Sequence, residues 1–257
     1  MSIGVRDAEA TLEALRRAMG IIPLSGEQTA RFRYVLTRMG DAELGMQLEL
    51  IEPQGGPDTF MRRFLAERGE GVHHLTFTVP DVERTIRDVR EAGYTVVQVD
   101  LDYAPWREAF IMPTDHGLGV VVQIADTNLE YPPMRDFISD VVEDPASIPH
   151  NRDGIDRHWW RSVRELPGPS SPAHLVRVEL ESEDVAGIAR LFTGPLGGRV
   201  TSSADRMVEI AWGESVLRVH DGPESGVRVL GYRGGPSTGM AIGSARLTPD
   251  SEDGAPR

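Results

Sequence analysis

The residues best suited to chemistry lie in two short runs. The first is Leu48-Glu49-Leu50-Ile51-Glu52-Pro53, and the second is Gly69-Glu70-Gly71-Val72-His73-His74-Leu75-Thr76-Phe77. Both read as strands, because apolar and polar residues alternate and the flanks carry turn formers. Placed side by side, such strands could hold a carboxylate and an imidazole on one concave face. That pairing is how a protein binds a divalent metal while leaving positions open for a substrate. His73 and His74 are neighbours on one strand, so the pleat should send them to opposite faces.

A repeat supplies the elements that must position these residues. Val5-Arg6-Asp7-Ala8-Glu9-Ala10-Thr11 recurs as Val79-Pro80-Asp81-Val82-Glu83-Arg84-Thr85, and a weaker third copy begins at Glu183-Asp184. Apolar residues then follow helical spacing: Ala8, Leu12, Leu15, Met19; Val82, Ile86, Val89; and Val185, Ala189, Phe192, Leu196. An acid opens each helix, where it caps free N–H groups and meets the positive end of the dipole. Gly20, Gly93 and Gly197-Gly198 supply stops. Around the helices the pattern predicts strands at 32–37, 46–51, 75–79, 95–99, 109–112, 119–124, 174–180, 199–202, 207–212 and 215–220. The unit therefore reads β-α-β-β-β.

Residues 126–170 break this pattern with Pro132-Pro133, Pro145, Pro149, Pro167 and Pro169, and Met134, Phe137, Ile138 and Val141 suggest one short helix. Trp159 and Trp160 either wall a pocket or, on the blander reading, anchor this linker to the core. From Gly222 onward Gly, Ser and Pro dominate, which predicts a flexible tail. The expected organisation is 1–125, a two-unit domain; 126–170, a linker; 171–221, a third unit; and 222–257, the tail.

Composition sets limits. Of 257 residues 40% are hydrophobic and 26% charged, ordinary for a globular protein with a real core. There is no cysteine, so disulfides, thiolate metal sites and a Cys nucleophile are excluded. A net charge of −13 argues against nucleic-acid binding. No apolar run approaches the roughly 20 residues that span a bilayer, and the first residues carry Asp7, Glu9 and Glu13 rather than a leader-like apolar stretch. A cytoplasmic protein without membrane partners is the expectation. Arg62-Arg63 reads as a solvated helix face, with capture of an anion as the alternative.

The β-α-β-β-β repeat, the Leu-Glu-Leu-Ile-Glu-Pro strand and the Gly-Val-His-His-Leu-Thr-Phe strand resemble the vicinal oxygen chelate superfamily, also called the glyoxalase fold. Within it, residues 46–124 look most like methylmalonyl-CoA epimerases. Phe64-Leu65-Ala66-Glu67-Arg68-Gly69-Glu70-Gly71, Met112-Pro113-Thr114 and Gly119-Val120-Val121-Val122-Gln123-Ile124 also carry the match. The resemblance implies an α+β fold in which repeated βαβββ units form a cupped mixed sheet around a divalent metal (Fe, Mn, Co, Zn or Mg, or none where ligands are lost). It places Glu49 and His74 in ligand slots, His74 pointing inward, and puts the ligand slot of the last strand at Gln123.

The sequence departs from that pattern in three places. The first-strand His of the family falls one position before Met1, so either the chain starts further upstream or the ligand is absent. Gln123 stands where epimerases carry a glutamate, and a neutral amide cannot act as a base. The second strand, Arg31-Phe32-Arg33-Tyr34-Val35-Leu36, has no acid. Epimerisation beside a thioester needs a base on one side of the carbon and an acid on the other, so epimerase activity itself is not expected. Arg31 or Arg33 is a candidate for holding an anionic group, with edge-strand solvation as the blander reading, and Tyr34 and Tyr103 are candidate acids. His116 reads as an exposed turn residue, His174 as structural, and His220 as lacking a partner.

Two functions stand. One is a metal-dependent enzyme (isomerase, lyase or dioxygenase) that stabilises an enolate or chelates a small oxygen-rich or acyl substrate. The other is a metal-free protein that sequesters small molecules, as bleomycin-resistance proteins do, in an apolar cup lined by Trp106, Phe110, Trp159 and Trp160. A third unit without a fourth predicts a homodimer or coverage by the linker.

Overall fold

Three N-capping aspartates set the start of each repeat. The computed structural model describes residues 1–139 and 154–250. The first repeat runs β1 (Ser2–Gly4), α1 (Ala8–Met19), β2 (Ile22–Gln28), β3 (Phe32–Gly40) and β4 (Gly45–Pro53), followed by α2 (Phe60–Arg68). The second runs β5 (Gly71–Thr78), α3 (Val82–Glu91), β6 (Val96–Asp100), β7 (Arg107–Ile111) and β8 (Val121–Asp126). Short helices α4 (Met134–Ile138) and α5 (Arg161–Arg164) precede the third repeat. That repeat comprises β9 (Ala173–Ser182), α6 (Val185–Thr193), β10 (Arg199–Ala204), β11 (Met207–Trp212) and β12 (Ser215–Asp221). Strands β13 (Gly226–Gly234), β14 (Met240–Ile242) and β15 (Ala245–Pro249) follow. Asp7, Asp81 and Asp184 accept from the backbone N–H of Ala10, Arg84 and Gly187, each satisfying an orphan donor of the first turn. The strands form mixed sheets, and the fold is α+β with repeated βαβββ units.

Two compact units divide the chain. One takes residues 2–71, 131–177 and 229–257; the other takes residue 1, 72–130 and 178–228. In the first, strands lie in the order β2-β3-β4-β1, with β1 parallel to β4 because α1 forms the crossover between edges. Leu12, Leu15 and Met19 of α1 are buried on the side of Ile3, Val35, Leu48 and Leu50. Each such side chain contributes about 1.5–3 kcal/mol by leaving water. Gly20 ends α1 in the left-handed region at φ 75°, where a Cβ would be strained. On the opposite face α2 lies against β4 and β1. Gly4 makes this approach possible, because a Cβ there would stand 2.7 Å from Met61 and from the Phe64 ring. Trp160 is buried and its indole N–H donates to the Gly26 carbonyl at 3.2 Å, so it anchors the segment to β2.

The sequence reading missed β2, because Pro23 and Gly26 look like loop residues. Pro23 is accommodated by a bulge between Pro23 and Ser25 on a strand at the end of its row. The expectation of a flexible tail over 222–257 needs correction over 226–249, and residues 251–257 lie outside the described residues. β13 and β15 pair in parallel and β14 pairs antiparallel to β15, forming a reduced fourth repeat without a helix. Its glycines serve turns, as Gly234, Gly235 and Gly243 do at positive φ. The homodimer expected from a missing fourth unit loses that premise. The predicted helix over 134–141 is α4, and Val141 lies outside the described residues.

The second unit contains the rows β5-β8-β7-β6 and β10-β11-β12, with residues 178–182 of β9 beside β12. Val82, Ile86 and Val89 of α3 are buried, as are Leu75, Ala109, Ile111, Val122 and Ile124 on the sheet face that α3 covers. Phe77, Phe192 and Trp212 meet with ring centroids 5.1–6.0 Å apart. His116, expected to be a solvent-exposed turn residue, instead bonds Asp184 at 2.9 Å and packs on Tyr94.

One device recurs in both units. In the first repeat Arg33 bonds Glu52 at 2.9 and 2.8 Å, and the same Glu52 oxygen accepts from the backbone N–H of Ala8, the first residue of α1. In the second repeat Arg107 grips Asp126 with bonds of 2.8 and 2.6 Å, and Asp126 accepts from Val82, the first residue of α3. An arginine on the third strand thus holds an acid on the fourth against the start of the crossover helix. In the third repeat the corresponding pair, Arg206 with Asp221, is largely exposed.

Candidate functional site

The face of β5, β8 and β7 opposite α3 gathers the polar groups. Alternation decides which residues it carries. Thr76 pairs with Gln123 and Gln123 with Phe110, so these three share a face. His74 lies two residues from Thr76, and Glu108 two from Phe110, on that same side. The hydrogen bonds follow. Thr76 Oγ1 donates to Gln123 Oε1 at 2.7 Å, Gln123 Nε2 donates to Glu108 Oε2 at 2.5 Å, and Trp106 Nε1 donates to the same Oε2 at 2.9 Å. A hydroxyl, an amide, a carboxyl and an indole therefore form one chain across three strands.

Electrostatics separate the titratable members. Burial raises the Glu108 carboxyl above its ordinary value, outweighing the hydrogen bonds from Gln123 and Trp106 that favour its charged form; Asp100 adds to the rise. His74 is buried and held well below the usual imidazole value, by burial first, then by His73 and the N-terminal amine. Burial lowers His73 to about 4. The rings of His73 and His74 do not diverge as the pleat suggests: their Nδ1 atoms are 2.8 Å apart. One nitrogen donates and the other accepts, which needs at least one neutral imidazole.

The residues singled out from sequence are placed as follows. His74 and Gln123 come together on this face. Glu49 belongs to the other unit, half-buried on β4 between Ser2 and Leu36 and on the side opposite α1. Tyr34 shares that side but is buried in an apolar cluster with Ile51, Met61, Phe32, Leu36, Phe60 and Phe64. Arg33 lies on the α1 side, tied to Glu52 and stacked 4.6 Å over the Trp159 ring, so its charge is used in the fold. His174 stands 4.0 Å from Asp41, and His220, expected to lack a partner, is 3.5 Å from Glu179.

Glu108 was missed. An acid was expected over residues 31–36, at the start of β3, the third strand of its repeat, and none is there; β2 itself carries Glu27, buried. The available signal was Trp106-Arg107-Glu108-Ala109-Phe110, where an acid alternates with two aromatics while Ala109 and Ile111 face the core.

The donor set on this face does not fit a metal ion. Gln123 spends its amide oxygen on Thr76 and its nitrogen on Glu108, and His74 Nδ1 is taken up with His73. Among the described residues no group of three or more His, Asp or Glu could hold an ion.

Comparison with known proteins agrees with this architecture. A family model, glyoxalase/bleomycin resistance protein/dioxygenase superfamily, matches residues 1–110. Residues 1–110 are thus similar to that superfamily. Likeness of fold extends well beyond them. A mutant 4-hydroxymandelate synthase from Streptomyces coelicolor aligns with 90% of this chain and 69% of its own, at 17% identity and a TM-score of 0.59. A hypothetical protein from Staphylococcus aureus aligns with 90% of both chains at 10% identity and a TM-score of 0.57. A methylmalonyl-CoA epimerase variant from Streptomyces coelicolor, in complex with 2-nitronate-propionyl-CoA, is 28% identical over 51% of this chain and 94% of its own, with a TM-score of 0.44. No curated protein matches the chain significantly. No helix among the described residues is long and apolar enough to cross a membrane.

Proposed function

We propose that this vicinal oxygen chelate protein is an enzyme acting on a small acyl or oxygen-rich substrate through an enolate, on the sheet face opposite α3. The supporting observation is the chain Thr76–Gln123–Glu108–Trp106 beside a neutral His74. Gln123 has a second amide hydrogen, and a neutral imidazole offers one donor; both suit a carbonyl oxygen gaining charge. Such preorganised donors stabilise an enolate more than the ketone or ester it comes from, which is what acceleration requires. No step is assigned to a metal.

Binding without turnover is the second reading, favoured by the lack of a three-residue metal-binding group among the described residues. Solvent-deuterium incorporation into small thioesters and 2-oxo acids, followed by NMR, separates the two. Saturable exchange that Gln123→Leu abolishes is expected. Tight binding by calorimetry with no exchange in any compound would establish sequestration instead.

A further inference from the structure

The same protein contains structural acids for comparison. Glu52 and Asp126 are each held by an arginine and a helix N–H. That is the ordinary way to keep a carboxylate inside, since an uncompensated buried charge is costly. Glu108 has no such arrangement. Among the described residues no cation acts on it; its donors are an amide and an indole, and the charged group that influences it is Asp100, of its own sign. Both donors converge on Oε2. Among the described residues no hydrogen bond reaches Oε1. One oxygen is therefore anchored while the other is left over, on a strand where glutamate is a poor β former and aromatic residues lie two positions to either side.

We infer that Glu108 is the proton-transfer group of this face, its Oε1 taking a proton from a carbon acid held beside Gln123 and His74, with Trp106 and Gln123 acting as positioning residues through Oε2. The inference rests on the functional reading above and deepens it. The C–H bond next to a carbonyl breaks and its proton passes to Oε1. The electron pair moves into the enolate, whose oxygen accepts from the second Gln123 amide hydrogen. The protonated carboxyl then returns a proton to carbon. The step needs no oxidant and no second reactant, and its product is an exchanged or isomerised substrate.

A nitrobenzisoxazole tests this with the full-length chain. A carboxylate removes the ring C–H; that electron pair forms the nitrile as the N–O bond breaks, and its electrons pass to the oxygen, giving a single coloured cyanophenolate. The wild-type protein should open the ring with saturation. Glu108→Gln, which can still accept from Trp106, should lower turnover by about a hundredfold or more. Glu108→Asp should lower it less, with the pH profile retained. Trp106→Phe removes a donor that favours the charged form, so its pH–rate profile should move to higher pH, a shift that a merely structural tryptophan would not produce. Equal rates in wild type, Glu108→Gln and Glu108→Asp would overturn the assignment. Backbone NMR shifts at Thr76 and Gln123 on adding the probe distinguish the failures. Shifts with unchanged rates reject Glu108 and leave the site standing. No shifts and no turnover reject the site, and Glu108 with it.

Discussion

Replacing Arg107 by methionine should cost far more than an ordinary surface substitution. Asp126 is 6% exposed at its side chain and receives two bonds from Arg107 and one from the Val82 N–H; Arg107 also reaches Glu83 at 3.0 Å. Methionine fills much of the aliphatic volume but leaves Asp126 charged, buried and held by one amide. Breaking a buried pair from one side costs about 3–5 kcal/mol. Arg107 is 29% exposed, which puts the expectation at the lower end, about 3 kcal/mol. For a domain of this size that is a fall in Tm of about 6–12 °C. The pH dependence adds a check. Burial opposes the charged form of Asp126, yet the Arg107 bonds and the Val82 amide prevail and hold its carboxyl below the ordinary range. A depressed carboxyl contributes stability above its unfolded value, about 3.9, and loses it as pH falls through the folded value. Arg107→Met should therefore flatten the acid limb of the stability curve. Urea denaturation from neutral to acid pH measures both. A loss under about 1 kcal/mol, small for a buried pair, with an unchanged acid limb, would refute the idea that this clasp fixes α3 to β7 and β8.

Other outcomes follow from the same geometry. His73 titrates near 4 when folded and near 6.5 when unfolded. The unfolded chain thus binds more protons between those values, and stability should fall as pH drops from about 6.5 to about 4. His73→Asn should lessen that fall in urea melts, and a curve of unchanged steepness would contradict a buried neutral imidazole. Elemental analysis of protein prepared without chelators should give well under one divalent ion per chain. A stoichiometric ion lost on Gln123→Ala or Glu49→Gln would restore the ligand roles that the sequence resemblance implied.

Local chemistry made the helices and most strands legible. Asp7, Asp81 and Asp184 each cap the predicted helix, because the capping bond depends on residues three positions apart and on nothing distant. Strands β4, β5 and β8 carry continuous apolar alternation and were also readable. What escaped was set by pairing. β2 contains Pro23 and Gly26, β13 contains Gly226, Gly231 and Gly234, and Gly239 and Gly243 flank β14; these become strands only because partners supply their hydrogen bonds. The Arg33–Glu52 and Arg107–Asp126 clasps were within reach, since both pairs lie nineteen residues apart at matching places in the repeat. An arginine and an acid so far apart in sequence nevertheless have no mutual meaning until a register is known.

The candidate site failed to show itself for a related reason. Read alone, Gln123 is a glutamate slot that lost its charge and became a weaker ligand and no base. In its surroundings it is a different device. An amide can accept from Thr76 with one end and donate to Glu108 with the other; a carboxylate can only accept. A glutamate at 123 would set two carboxyl groups at hydrogen-bond distance, and the value of one would be strongly raised. Glutamine at 123 and glutamate at 108 are thus one choice. The acid sought over residues 31–36, at the third strand of the first repeat, stands instead on the matching strand of the second repeat, where the hydrogen bond from the neutral residue beside it favours its charged form.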